Sequence, residues 1–195
     1  MSIFYNPGAC AADTLSGMTL IPSSRFLALS VVTVICLTSN GQTPPASSAA
    51  NLQPIAFFTA HEWDALLPDA SDGKKRKIHA QFSWTPNGQA IRVSNQMVVD
   101  GKPTPYIDGL YAWDPKQHAI VFCYAGADGS LTNGIVRLEN GRLVHEFEEI
   151  DQGGKTAHYV ARVTPNGDSG WQNEIFAKGA NGLTPMVKVQ YEVAK

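Results

Sequence analysis

Lys77-Ile78-His79-Ala80-Gln81-Phe82-Ser83-Trp84, followed at once by Thr85-Pro86-Asn87-Gly88, decides the fold class. Apolar Ile78, Ala80, Phe82 and Trp84 alternate with polar Lys77, His79, Gln81 and Ser83. A period of two is that of an extended strand with one face on a core and the other in water. The Asn-Gly pair supplies the positive φ of a tight hairpin turn, so the chain is expected to double back there. Far along the sequence Val187, Val189, Tyr191 and Val193 alternate in the same way against Lys188, Gln190 and Glu192.

Turn dipeptides recur between these two segments and around them: Asp72-Gly73, Asn87-Gly88, Asp100-Gly101, Asp128-Gly129, Asn140-Gly141, Gly153-Gly154, Asn166-Gly167 and Asn181-Gly182. Asp114-Pro115 fills the one long gap, which leaves segments of strand length between evenly spaced turns. Short hairpins make the sheet antiparallel, and with little helix to cover an open edge such a sheet is best accommodated by closing on itself. The expected fold is all-β: a single antiparallel up-and-down β-barrel of about 8–10 strands, with a sandwich as the alternative. Helical period is found in one place, Pro54 to Leu67, where Ile55, Phe58 and Glu62 share a face and Pro68 ends the segment. A short N-terminal helix ahead of a barrel is placed to plug one of its ends.

The 195 residues carry 15 basic and 17 acidic side chains, a net charge of -2, and 44% of them are hydrophobic. This is too apolar and too nearly neutral for a disordered chain, and it lacks the basic excess of a nucleic-acid binder. At the N-terminus Arg25 precedes the uncharged run Phe26 to Leu37, and Thr38-Ser39-Asn40-Gly41 follows. Twelve apolar residues are short of the ~20 a membrane span needs, so the run reads as a secretory signal, cleaved after Gly41. Met18 is an alternative start that would give a conventional signal. Bulky Ile35 before Cys36 argues against a lipid anchor without excluding one. The expected organisation is a signal peptide over 1–41, a Pro/Ser/Ala-rich linker over 42–51, a barrel over 52–195, and a secreted or periplasmic location with no membrane span in the mature chain. Cleavage would leave Cys123 as the lone cysteine, with no disulfide possible. Its apolar strand, Ala119 to Tyr124, predicts a buried structural thiol.

A short N-terminal helix, a Trp in the first strand and a meander of about nine strands resemble the calycin superfamily, the lipocalin-like barrels. Within it the chain resembles the lipocalin-like secreted bacterial domains of unknown function, most closely at Tyr106-Ile107-Asp108-Gly109-Leu110-Tyr111-Ala112-Trp113-Asp114-Pro115 and the turn Asp128-Gly129-Ser130. The resemblance implies an internal cavity for a small, mostly apolar molecule. Calycins commonly carry Gly-x-Trp near the barrel start, whereas here His61-Glu62-Trp63 puts histidine in the glycine position. The Gly-rich signature of haem-binding nitrobindin-like barrels is missing as well, so haem is not carried over and no cofactor is expected.

Gly167-Asp168-Ser169-Gly170 matches the surroundings of the nucleophilic serine of trypsin-like proteases, but those enzymes hold their triad between two barrels and this chain has length for one. Thr164-Pro165-Asn166-Gly167 also repeats Thr85-Pro86-Asn87-Gly88, as two hairpin turns would. His61-Glu62 and His145-Glu146 lack the second histidine four positions on that a zinc helix requires, since Ala65 and Glu149 stand there. His79 and His158 fall on polar strand faces, and Lys74-Lys75-Arg76-Lys77 reads as a solvated loop. For His118 no direction follows, because the strand after it is apolar on both faces.

His145 differs, because Leu143 and Phe147 share its face and direct it inward. A partly desolvated imidazole can orient a ligand or serve as a general base. Asn95 lies with Ile91, Val93, Met97 and Val99, and Tyr159 with Ala157, Ala161 and Val163. These three polar groups, with Trp84, Tyr111, Trp113, Trp171 and Tyr191, make the expected ligand site. Glu146 and Glu148 lie on the opposite face and do not pair with His145. The expected function is an exported barrel that binds a small apolar or aromatic molecule, with no nucleic-acid partner and no metal. The alternatives are a small barrel enzyme (isomerase, cyclase or hydrolase) with His145 as base, and a structural or partner-binding envelope protein.

Overall fold

The computed structural model describes residues 48–68 and 74–195. The cleavage and start positions and the anchor residue Cys36 lie outside the described residues, as does most of the expected linker. Ser48–Asn51 form a single helical turn, α1, and a 3₁₀ helix follows over Gln53–Ala60. Ten strands then run in order: β1 (Trp63–Leu66), β2 (Arg76–Trp84), β3 (Ala90–Val99), β4 (Lys102–Asp114), β5 (Ala119–Gly126), β6 (Leu131–Glu139), β7 (Arg142–Ile150), β8 (Thr156–Pro165), β9 (Gly170–Gly179) and β10 (Gly182–Val193). Each pairs antiparallel with its sequence neighbours, and β1 joins β10 to β2, so the sheet is a closed up-and-down barrel without a free edge. Among the described residues no helix is long and apolar enough to cross a membrane.

The turns obey the dipeptides. Asp100-Gly101 and Asn140-Gly141 are two-residue connections with positive φ at both positions, 50° and 78° in the first and 52° and 77° in the second. That is the turn whose twist matches paired strands. Alternation also carries into three dimensions: Ile78 and Ala80 of β2 are buried while Gln81 and Ser83 are exposed, and Val189 and Tyr191 of β10 are buried between exposed neighbours.

The helical segment differs from the expectation in period and in length. Leu52, Ile55 and Phe58 are the fully buried residues, and a spacing of three is the repeat of a 3₁₀ helix, which Ile55 N–H to Leu52 O at 3.0 Å begins. Pro54 fits its first turn. The segment stops at Ala60, Glu62 is exposed, and Trp63–Leu66 extends as β1 because Trp63 and Ala65 then face the core on a period of two. Phe58 reaches the rings of Phe82 on β2, Tyr111 on β4 and Trp171 on β9, at centroid distances of 4.7, 6.3 and 5.0 Å. Rings from well-separated strands around the barrel thus meet one helical side chain, which closes this end. The Trp63 indole N–H, fully buried, donates to Phe58 O at 2.7 Å and ties helix to barrel. Burial of each such large side chain contributes roughly 1.5–3 kcal/mol.

Cys123 is a second correction. It is exposed, because Phe122 and Tyr124 take the inward positions of β5 and the thiol must point out. A strand apolar on both faces need not be buried on both. Its neighbours on the outer surface, Leu110 of β4 and Asn133 of β6, belong to a shallow depression, with Leu110 itself 45% exposed. Nor is the basic run wholly a loop: Arg76 and Lys77 open β2, where Lys77 pairs with Asp64 at 2.7 Å.

Candidate functional site

Inside the barrel, above the end closed by Phe58, lies a cavity of about 220 Å³. Its wall is largely aromatic, with Phe82, Tyr111, Phe122, Tyr124, Phe147, Trp171 and Tyr191 from seven different positions on the sheet. Trp171 and Tyr191, cross-strand partners on β9 and β10, stack at 3.7 Å and 5°. Space for the rings on the other side comes from Gly134 of β6, where a Cβ would stand 2.6 Å from Phe147 Cβ and 2.7 Å from Phe122 Cζ. Near the opposite rim Glu149, one residue from the end of β7, lines the cavity together with Thr132 and the 39%-exposed Tyr106.

Among the described residues four buried side-chain polar atoms have no hydrogen-bond partner: Asn95 Oδ1, His145 Nδ1, Trp171 Nε1 and Asn173 Oδ1. All four residues line this one cavity. Asn95 sits on β3, and β7 and β9, which carry the other three, stand across the barrel from it in the strand order. A buried polar group left unmade costs about 1–3 kcal/mol, so four on one cavity wall are a concentrated, unspent capacity for hydrogen bonds.

His145 is the one polar residue among the buried set, and Tyr111 Oη stands 3.3 Å from its Nε2. Nδ1, the other ring nitrogen, is buried and has no partner. Burial alone pushes the imidazole down from 6.5 to about 4, so it is neutral at neutral pH. Burial likewise holds the Tyr111, Tyr124 and Tyr191 hydroxyls well above their ordinary range. The neutral imidazole thus presents one unpartnered ring nitrogen at the cavity wall.

Of the residues expected to form the site, Asn95, Tyr111, His145, Trp171 and Tyr191 line the cavity. The other three do not. Trp84 and Trp113 face inward but pack beside the core near the helical end, Trp113 against His118 at 6.4 Å. Tyr159, the cross-strand partner of Phe147, stacks on it at 5.3 Å and borders a separate depression with His158 and Lys178. Reading by residue missed Tyr106, Tyr124, Asn173 and Glu149. Tyr124, Asn173 and Glu149 share a period-two face with Phe122, with Trp171 and with His145, so the signal was present. Tyr106 was hidden by the register shift where Asn95 pairs with Ile107 and Gln96 with Pro105, which adds a residue to β4.

The remaining motifs resolve outside the cavity. Ser169 Oγ donates to Asn166 O at 2.8 Å within the β8–β9 turn. His158 is exposed; His79 is half-buried, with Nδ1 2.8 Å from Asp64 Oδ1 and Nε2 3.4 Å from Glu62 Oε2. His118 adopts φ 50° in the β4–β5 turn. Among the described residues no group of three or more His, Cys, Asp or Glu is placed to hold a metal ion. No protein-family model matches the chain, and a search of curated proteins finds no match to it.

Proposed function

We propose that this protein is an exported, lipocalin-like barrel that binds one small, mostly aromatic or apolar molecule in its interior. The observation that carries the reading is the convergence of four unpartnered buried polar atoms on one cavity with aromatic walls. A few placed polar groups in an apolar enclosure are what a small-molecule site needs. An apolar cavity of ~150 Å³ holds benzene. At about 220 Å³ the interior suits a single ring with a short substituent, and not a lipid chain or a tetrapyrrole. Export is supported by the apolar run Phe26 to Leu37 behind Arg25, and fractionation of the host is its test.

Binding is favoured over proton abstraction by His145. An imidazole pushed down to about 4 by burial is a weak base at neutral pH, and its Nε2 is already engaged with Tyr111 Oη at 3.3 Å. Native mass spectrometry of the purified protein, combined with titration of one-ring probes read by the fluorescence of Trp171, tests the reading. A saturable change that is lost in His145→Leu, a variant expected to fold normally, is the expected result. Absence of any saturable change, with no co-purifying mass, would overturn it.

A further inference from the structure

The walls that line the cavity carry one ionisable carboxylate and no lysine or arginine. Glu149 is that carboxylate, half-buried at the rim, and it has no ion-pair partner among the described residues. Asp128 and Asp151 stand close enough to repel it, and with burial they raise its pKa. The rim is therefore an acidic collar over an aromatic chamber. Deeper in, on side chains only 5% and 4% exposed, His145 Nδ1 and Trp171 Nε1 face the same space without partners. These unpartnered buried atoms mark the collar as part of a ligand site, which a group of surface acids alone would not.

A ligand entering here meets negative charge first, then rings, then neutral polar groups. A carboxylate would be repelled at the rim and would find no cation inside to compensate its lost water. An ammonium would come to rest beside Glu149, with the Tyr106 ring at its side, and such a cation gains from both carboxylate and ring face. We infer that the ligand is a one-ring arylalkylamine, held with its ammonium at Glu149 and its ring among Tyr111, Phe122 and Phe147. The inference rests on the reading that the cavity binds a small molecule, and it adds the charge of that molecule.

Three probes of matched size separate the two: 2-phenylethylamine, 2-phenylethanol and phenylacetate, titrated into wild type, Glu149→Gln and Glu149→Lys with circular dichroism to verify folding. In wild type the amine should bind at least ~10-fold more tightly than the alcohol, and the carboxylate least. Glu149→Gln should remove the advantage of the amine over the alcohol, and Glu149→Lys should reverse the order of amine and carboxylate. Alcohol binding with no preference for the amine would overturn the charge assignment while the cavity reading stands. Binding of none of the three to wild type would overturn both. Should the amine's preference persist in both Glu149 variants, its charge is read elsewhere and the assignment to Glu149 falls.

Discussion

Two tryptophans whose rings lie 6.4 Å apart divide the interior into regions of different purpose. Trp63, under the 3₁₀ helix, is fully buried and its N–H is bonded to Phe58 O. Trp171 is nearly as buried, stacks on Tyr191, and leaves its N–H unmade. Below this boundary the barrel is a packed and satisfied core. Above it the same kinds of residue surround open space, and the unpaired atoms accumulate. The difference teaches that burial by itself does not tell a structural side chain from a ligand contact, whereas the hydrogen-bond account of each buried atom does.

The sharpest way to break this division is to truncate on each side of it. Trp63→Ala should destabilise by about 3–5 kcal/mol, since it opens a cavity where none exists and removes the tie to the helix. His145→Leu should cost no more than about 1–2 kcal/mol, because it deletes a buried group with one unmade bond and fills nearly the same volume, against the loss of the Tyr111 hydroxyl's partner. Chemical denaturation of both variants measures the contrast. Equal losses would mean that the whole interior is structural.

A pH titration sharpens the same boundary. With its pKa held at about 4 in the folded state, against 6.5 when exposed, the imidazole of His145 takes up its proton first in the unfolded chain. Its contribution to stability is therefore complete above pH 6.5 and is lost as pH falls through 4, a total of about 3 kcal/mol. Thermal midpoints collected between pH 7 and 4 should fall more steeply for wild type than for His145→Leu. Parallel curves would place the imidazole in water.

Most of this architecture was legible in the sequence because strand period and turn chemistry are local. Lys77 to Gly88 carries its own direction, alternation and reversal, and the closure of ten such units follows from the need to remove edges. The cavity was legible in part, since inward facing also follows from period two and reached Asn95, Tyr111, His145, Trp171 and Tyr191. What stayed hidden depends on position along the barrel axis. Trp84 and Trp113 face inward as expected yet fall beside the helical end, Trp113 at a separate depression of about 320 Å³ with Pro54 and His118, and no periodicity states where the helix comes to rest. Glu149 faces inward by the same rule as His145, but its place at the rim depends on how far β7 runs, which the period does not state. The 3₁₀ segment and β1 were merged into one helix because Glu62 happens to continue the helical spacing past Ala60. Cys123 was misjudged because the outer surface of β4 to β6 carries Leu110, Ala112, Val121 and Ile135 beside it, so apolar character there did not mean burial.

Glu149 gives the smallest effect and the most particular sign. Its carboxyl pKa is raised by burial and by Asp128 and Asp151, so ionisation costs the folded state more than the unfolded one. A raised pKa contributes stability below the unfolded value, and that contribution is lost as pH rises through the folded value. At neutral pH, then, the charged rim is a liability to the fold. Glu149→Gln should stabilise the protein slightly, within ~0.5 kcal/mol because the site is partly solvated, and the gain should vanish once acid has neutralised the wild-type group. Careful thermal unfolding at pH 7 and again below pH 4 would detect it, and a loss of stability at pH 7 would show instead that the carboxylate is engaged in holding the rim together. A carboxylate that weakens the fold on which it stands, at the opening of a cavity with unmade hydrogen bonds, is the cost that the proposed ammonium site predicts at this position.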